Sequence, residues 1–328
     1  MDQQLFFPDG VHNVLVTPFS KNISTDDEYY EPKVDYNSLS NLYYKNIKVG
    51  YPVQGLVLLG TTSETSTLSK DEKEQIIKYI WNVNLQQLPE NRKFITIGIG
   101  GNNMTDVLNS ANDYCKFCDG FMLTVPYYNK PQQRGIVNMF QRVSKKFPNK
   151  PIMIYNIPSR TGTDLLPSYM AEIVKTCPNV VALKEASGNW NNVMEFSELI
   201  SNYRIIGKTF KIFSGDDGNI PKIMNDFKGN GVISVAGNVY PLLIHYIVSG
   251  YNNYEEYKEY FDILNKLVKI LFSESNPVPV KWLLSSKKYI QFPSVREPLM
   301  EFDYSKITKE EYNILKECDR LEYIISNN

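Results

Sequence analysis

Residues 151–187 read PIMIYNIPSRTGTDLLPSYMAEIVKTCPNVVALKEAS, and this stretch decides the fold class. Its two apolar runs, PIMIYNIP (Pro151 to Pro158) and VVALKEAS (Val180 to Ser187), do not alternate with polar residues, as expected of strands covered on both faces. Between them Pro167 stands where a helix can begin, because a proline at the first helical position sacrifices no intrahelical hydrogen bond. The unit is strand, helix, strand.

The same unit recurs on both sides. Strands are expected at NVLVTPF (Asn13 to Phe19), GLVLLG (Gly55 to Gly60), KFITIGIG (Lys93 to Gly100) and GFMLTVP (Gly120 to Pro126) upstream. Downstream they are expected at FKIFSGDD (Phe210 to Asp217) and GVISVAGN (Gly231 to Asn238). Ser69 with Glu72 ahead of QIIKYIW forms a capping box, and Pro221 and Pro241 mark further helix starts. Eight such units in about 240 residues match a (β/α)8 TIM barrel. An open doubly wound sheet competes, but no G-x-G-x-x-G lies between a strand and a helix. After Gly250 the pattern is helical, so the reading places a catalytic barrel at 1–250 and a helical region at 251–328, packed on the barrel or on another subunit. The acidic insertion KNISTDDEYYEPKVD (Lys21 to Asp35) reads as a mobile, solvated loop.

Composition narrows the chemistry. With 328 residues, 42% hydrophobic, 22% charged and 35 basic against 36 acidic side chains, the chain is neither disordered nor broadly nucleic-acid binding. Only His12 and His245 are present, which excludes a multi-histidine metal site and disfavours a histidine triad. Four cysteines are too few for a disulfide framework, and Cys115 and Cys118 fall in a helical pattern with no second pair, so they receive no function. No secretory or transit pattern opens the chain. Its apolar runs are far below the roughly 20 residues a membrane helix needs, so a cytoplasmic location is expected.

A barrel builds its site at the C-terminal ends of its strands. Lys184 is the foremost candidate there: it follows Val180-Val181-Ala182-Leu183, and an unpaired buried ammonium must lose its proton readily or find a partner. A lysine in that situation suits Schiff-base chemistry. A salt bridge to Glu185 is the competing explanation, which strand alternation weakens by pointing that glutamate to the other face. The turn GTTSE (Gly60 to Glu64) offers backbone N–H groups and the hydroxyls of Thr61 and Thr62 to a small carboxylate. Tyr155 at a strand end could relay protons or could simply pack with its hydroxyl satisfied.

Several segments in order resemble the dihydrodipicolinate synthase family, within the pyruvate-dependent class I aldolases that include N-acetylneuraminate lyase. They are VTPF at Val16, GTTSE at Gly60, VPYYNKP at Val125, YNIPSRTGTDL at Tyr155, ALKEASGN at Ala182, SGDD at Ser214, GVISVAGN at Gly231 and NPVPVKW at Asn276. The resemblance implies that Lys184 forms an imine with pyruvate and that Tyr155, Thr61 and Tyr128 relay protons, Tyr128 being supplied across a dimer interface. It implies that Thr62 binds the pyruvate carboxylate and that Gly215, Asp216 and Ile233 complete the substrate site. Arg160 would hold the carboxylate of L-aspartate 4-semialdehyde, where lyases acting on sialic acid lack arginine. A homodimer or homotetramer is implied, and no metal or organic cofactor, since the imine is the electron sink. The family's allosteric site maps to Thr65, Lys70, Lys73, Asn102, Asp106 and Tyr127; lysine-inhibited members carry histidines where this chain has Lys70 and Lys73, so weak feedback by lysine is expected.

Ser63 departs from the family's GTTGE, and if that position needs positive φ, serine adds strain. Two other functions share the pattern: a 2-keto-3-deoxy sugar acid or N-acetylneuraminate aldolase using the same imine, and an impaired barrel kept as a binding or regulatory protein.

Overall fold

The computed structural model describes residues 5–25, 28–47, 53–201, 210–251 and 254–327. Among these, eight parallel strands form a closed barrel in chain order: β1 (Gly10–Val14), β2 (Val53–Leu58), β3 (Phe94–Ile99), β4 (Gly120–Thr124), β5 (Ile152–Asn156), β6 (Val180–Glu185), β7 (Lys211–Ser214) and β8 (Gly231–Ser234). The helices that follow the strands are α1 (Tyr36–Ile47), α2 (Lys70–Leu85), α3 (Met104–Tyr114), α4 (Gln133–Lys146), the single turn α5 (Pro158–Thr161), α6 (Pro167–Thr176), α7 (Trp190–Leu199) and α8 (Ile220–Phe227). Then come α9 (Pro241–Ser249), α10 (Tyr254–Leu271), α11 (Val278–Ser286) and α12 (Lys309–Asn327). This is the (β/α)8 barrel read from the apolar runs; every residue of β5 and β8 is buried, which is why those runs do not alternate.

Strands β7 and β8 close at Ser214 and Ser234, short of the expected Asp217 and Asn238, where 3-10 turns Asp217–Asn219 and Ala236–Asn238 take over, and β1 departs further. It ends at Val14, five residues short of the expected Phe19. Pro18 has no N–H for a ladder, and Phe19 instead makes an isolated antiparallel bridge with Val34. The strand also begins at Gly10, three residues ahead of the expected start at Asn13; Asn13 itself is fully buried, its amide donating to the Asn46 side chain (2.7 Å) and the Gly237 carbonyl (2.9 Å).

The chain divides into two compact units. One comprises residues up to Asp9 with Phe94–Ile233. Its core holds Phe121, Phe140, Met153, Phe196 and Phe213, all at most 1% exposed, each contributing about 2–3 kcal/mol of apolar burial. Prolines open α6 and α8 as expected, and Cys118 is a buried thiol pushed up to about 12 by desolvation, consistent with a packing role.

The other unit comprises Gly10–Lys93 with Ser234–Asn328. The capping box of α2 is present: the Ser69 hydroxyl accepts from the Glu72 N–H, and the Glu72 carboxylate accepts from the Ser69 N–H. Helix α12 packs on its own chain. It buries Leu315, Cys318 and Leu321, and its Glu322 carboxylate accepts from the N–H groups of Leu242 (3.1 Å) and Leu243 (2.8 Å) at the start of α9, where negative charge is favourable. Within the described residues of the acidic insertion, which exclude Asp26 and Asp27, most side chains are exposed, as expected of a solvated loop, and its ends are tied to the rest of this unit. Ser20 N–H donates to Lys33 O (2.7 Å), Asp35 N–H to Pro18 O (2.9 Å), and the Pro32 carbonyl accepts two bonds from the buried Arg296 guanidinium. No helix among the described residues is long and apolar enough to cross a membrane.

Candidate active site

Lys184 is the fifth residue of β6 and is 4% exposed. The parallel register sets it directly beside Tyr155 of β5 and Phe213 of β7. Tyr155 is also 4% exposed, and the Lys184 Nζ stands 4.0 Å from its ring centroid. A cation over an aromatic face in a desolvated setting gains about 2 kcal/mol, less than a carboxylate partner provides. Among the described residues no carboxylate pairs with Lys184. Glu185 points to the opposite face, where its carboxylate accepts from the Ser187 N–H and burial raises its pKa to about 7. The competing salt bridge is therefore absent.

The segment after β5 is held back onto its own strand. The Asn156 amide donates to Asp164 Oδ1 (2.8 Å), and its oxygen accepts from the Leu165 N–H (3.2 Å). The Asn192 amide holds Asp164 Oδ2 (3.0 Å). This short loop carries Arg160 in the one-turn helix α5, which Gly162 ends with a left-handed φ of 68°. Arg160 is exposed, and among the described residues no carboxylate neutralises its guanidinium. Gly215 follows β7; its N–H donates to the Glu185 carbonyl (2.7 Å), and a Cβ there would lie 2.7 Å from Ala186 Cβ, so only glycine fits. Asp216 spends its carboxylate on the Gly218 N–H (2.9 Å), and Ile233 is buried in β8.

In the second unit, Thr61–Ser63 form a turn of 3-10 helix after β2. Its first internal bond is donated by the Ser63 N–H to Gly60 O (3.1 Å), so the N–H groups of Thr61 and Thr62 precede the bonded turn. Thr62 is 2% exposed and its Oγ1 accepts from Asn276 Nδ2 (2.9 Å). The expected strain at Ser63 is corrected. The left-handed residue is Glu64 (φ 52°), one position later. The Ser63 hydroxyl donates to the Leu15 carbonyl (2.6 Å), and its own carbonyl accepts from the Thr17 hydroxyl (2.7 Å), so serine stitches the loop to the end of β1.

Tyr128 adopts a left-handed φ of 66° and is 87% exposed, so within this chain its ring joins no buried relay with Tyr155. Tyr127 is half-exposed. Asn102 lines an open depression of about 380 Å³ with Met104, Asn129 and Arg142, and Asp106 is exposed on α3. Thr65 begins a second 3-10 turn, Lys70 begins α2, and Lys73 is partly buried, which lowers its pKa.

Sequence reasoning missed the support beneath the threonine loop. Lys281, fully buried in α11, pairs with Glu64 (2.6 Å), and burial lowers its pKa to about 8 despite that carboxylate. Arg296, 1% exposed, donates from its N–H to Glu64 Oε2 (3.0 Å) and from its guanidinium to both oxygens of Glu72 (2.8 and 2.5 Å) and to Thr67 O (2.8 Å). Glu72 thus caps α2 and binds Arg296 together, and that guanidinium holds its carboxyl below the usual range.

A family model described as the dihydrodipicolinate synthetase family matches residues 8–317. The 4-hydroxy-tetrahydrodipicolinate synthase of Thermoanaerobacter sp. (strain X514) is 34% identical over 314 residues, covering 93% of this chain and 97% of its own. The crystal structure of the dihydrodipicolinate synthase of Thermotoga maritima is 28% identical with a TM-score of 0.81, covering 97% of this chain and 99% of its own. That of Cyanidioschyzon merolae, with lysine bound, is 28% identical with a TM-score of 0.78, covering 96% and 98%. The chain belongs to the dihydrodipicolinate synthetase family and is a lyase of the 4-hydroxy-tetrahydrodipicolinate synthase type.

Proposed function

We propose that the chain condenses pyruvate with L-aspartate 4-semialdehyde through an imine on Lys184, forming 4-hydroxy-tetrahydrodipicolinate on the lysine-biosynthesis route in the cytosol. The observation that carries this reading is a buried lysine that has no carboxylate partner among the described residues, set in register against a buried tyrosine. The Lys184 amine attacks C2 of pyruvate and water leaves. The protonated imine then draws electrons from the adjacent C–H bond, and loss of that proton gives the enamine that attacks the aldehyde. The imine is the electron sink, so the reaction as proposed uses no metal or organic cofactor. The semialdehyde's amino group displaces the lysine from C2 and closes the ring.

Tyr155, whose ring the Lys184 amine faces, is the proton carrier of this reading, with Thr61 and Tyr128 completing the relay. Tyr128 would come from a second subunit, which an 87% exposed ring on a fixed left-handed backbone supports; the active form is then a dimer or a pair of dimers. Thr62 binds the pyruvate carboxylate. Arg160 binds that of the semialdehyde, because a guanidinium offers two parallel hydrogen bonds and keeps its charge.

Borohydride reduction with pyruvate, read by intact mass, tests the imine. The expected result is one pyruvyl adduct, absent in Lys184→Ala; no adduct in the parent chain sinks the reading and favours a binding protein. If the adduct forms, turnover of aspartate semialdehyde against 2-keto-3-deoxy sugar acids, in the parent and in Arg160→Ala, separates the synthase from a sugar-acid aldolase.

A further inference from the structure

We infer that Asn276 is a positioning residue for substrate-carboxylate recognition, acting by fixing the direction in which the Thr62 hydroxyl donates. The inference rests on the proposed role of Thr62. An amide N–H can only donate, so with Asn276 Nδ2 at 2.9 Å the Thr62 oxygen is the acceptor in that contact, and its single hydrogen must point elsewhere. Thr62 is almost wholly buried, so bulk water is not there to reorient it. Without Asn276 the hydroxyl is a free rotor that can donate to the wrong acceptor. With it, the proton is presented to an incoming anion, the arrangement that makes a strong, charge-assisted bond.

The loop around Thr62 has little other freedom. Ser63 is tied to Leu15 and Thr17, and Glu64 is kept in a conformation unfavourable to glutamate by Lys281 and the Arg296 N–H. Asn276 lies just ahead of α11, the helix that carries Lys281, so one segment grips the loop at both Thr62 and Glu64. The Lys281 contact fixes where the loop sits. The Asn276 contact fixes which way its hydroxyl faces.

The test is borohydride trapping of the full chain at graded pyruvate concentrations, which yields a half-saturating concentration without the second substrate. Asn276→Asp keeps the shape but replaces the donor by an acceptor that captures the Thr62 proton and adds negative charge. Half-saturation should rise about 10- to 100-fold, the equivalent of losing one hydrogen bond to a charged group. Because the carboxylate is held alike in ground and transition states, kcat at saturating pyruvate should change by less than about threefold. Asn276→Ala should raise half-saturation about 3- to 10-fold in the parent, but add nothing in a Thr62→Val background, the signature of a residue acting through another.

An unchanged half-saturation in Asn276→Asp overturns the inference, as does an Asn276→Ala penalty of equal size with and without the Thr62 hydroxyl. Should Asn276→Ala not fold, the isosteric Asn276→Asp decides alone. Absence of any adduct in the parent chain removes the proposed reaction and this inference with it, whereas a normal parent adduct with insensitive Asn276 variants removes the inference only.

Discussion

Replacing Lys281 by methionine removes one charge from a buried pair while nearly preserving volume, and its cost follows from the geometry. Both side chains are at most 1% exposed and the Nζ to Oε1 distance is 2.6 Å. Once the ammonium is gone, the Arg296 N–H at 3.0 Å is the one hydrogen bond left to the Glu64 carboxylate among the described residues. Stranding one charge of such a pair costs about 3–5 kcal/mol. The ammonium also lies 4.1 Å from the Phe19 ring centroid, and the methionine sulfur recovers much of that contact, at about 1 kcal/mol. The net expectation is a loss of about 3–4 kcal/mol, or about 4–6 °C in Tm for a chain of this size. Equilibrium urea unfolding, followed by far-UV circular dichroism and tryptophan fluorescence to check that one transition is present, measures it. The double variant Glu64→Gln/Lys281→Met keeps an oxygen acceptor for Arg296 without a buried charge and should regain about 2 kcal/mol. A single-variant loss below about 1 kcal/mol, or a double variant as unstable as the two singles summed, refutes the claim that the pair holds the loop.

Glu185 supplies a pH prediction. Its folded pKa of about 7 lies above the ordinary 4.5, mainly through desolvation, so the folded state binds more protons between those values and parent stability falls as pH rises across that window. Glu185→Gln should gain up to about 3 kcal/mol on the parent between pH 4 and pH 8; parallel stability profiles would count against it. Lysine should inhibit weakly, because Lys70 and Lys73 at the start of α2 repel a second ammonium; an IC50 well below a millimolar contradicts this. Among the thiols, Cys118, Cys177 and Cys318 are buried with raised pKa values, so an aromatic disulfide reagent should titrate only Cys115 rapidly in the native protein and all four in denaturant.

What the sequence disclosed, and what it withheld, follow one physical distinction. A charged or polar residue inside an apolar run is conspicuous because little there can satisfy it, and that argument located Lys184 and Tyr155 on adjacent strands. The same argument was available for Lys281 in VPVKWLL, but a lysine on a helix has an easy alternative on the solvated face, so its burial carries no local mark. Arg296 is less visible still. Its partners Glu72 and Pro32 are 224 and 264 residues away in the chain, and nothing in SVREP distinguishes it from a surface arginine. Asn13 marks the expected start of the first strand, which in fact begins three residues earlier at Gly10, and Asn46 and Gly237 satisfy its amide from afar. Ser63 misled by a single position, since the left-handed turn falls on Glu64, whose conformation is held by α11 and the segment at Arg296. Local pattern therefore exposes residues whose needs are unmet nearby. The groups that meet them come from distant segments, and it is those groups, Asn276 and Lys281 foremost, that fix the shape of the βα loop proposed to hold the substrate carboxylate.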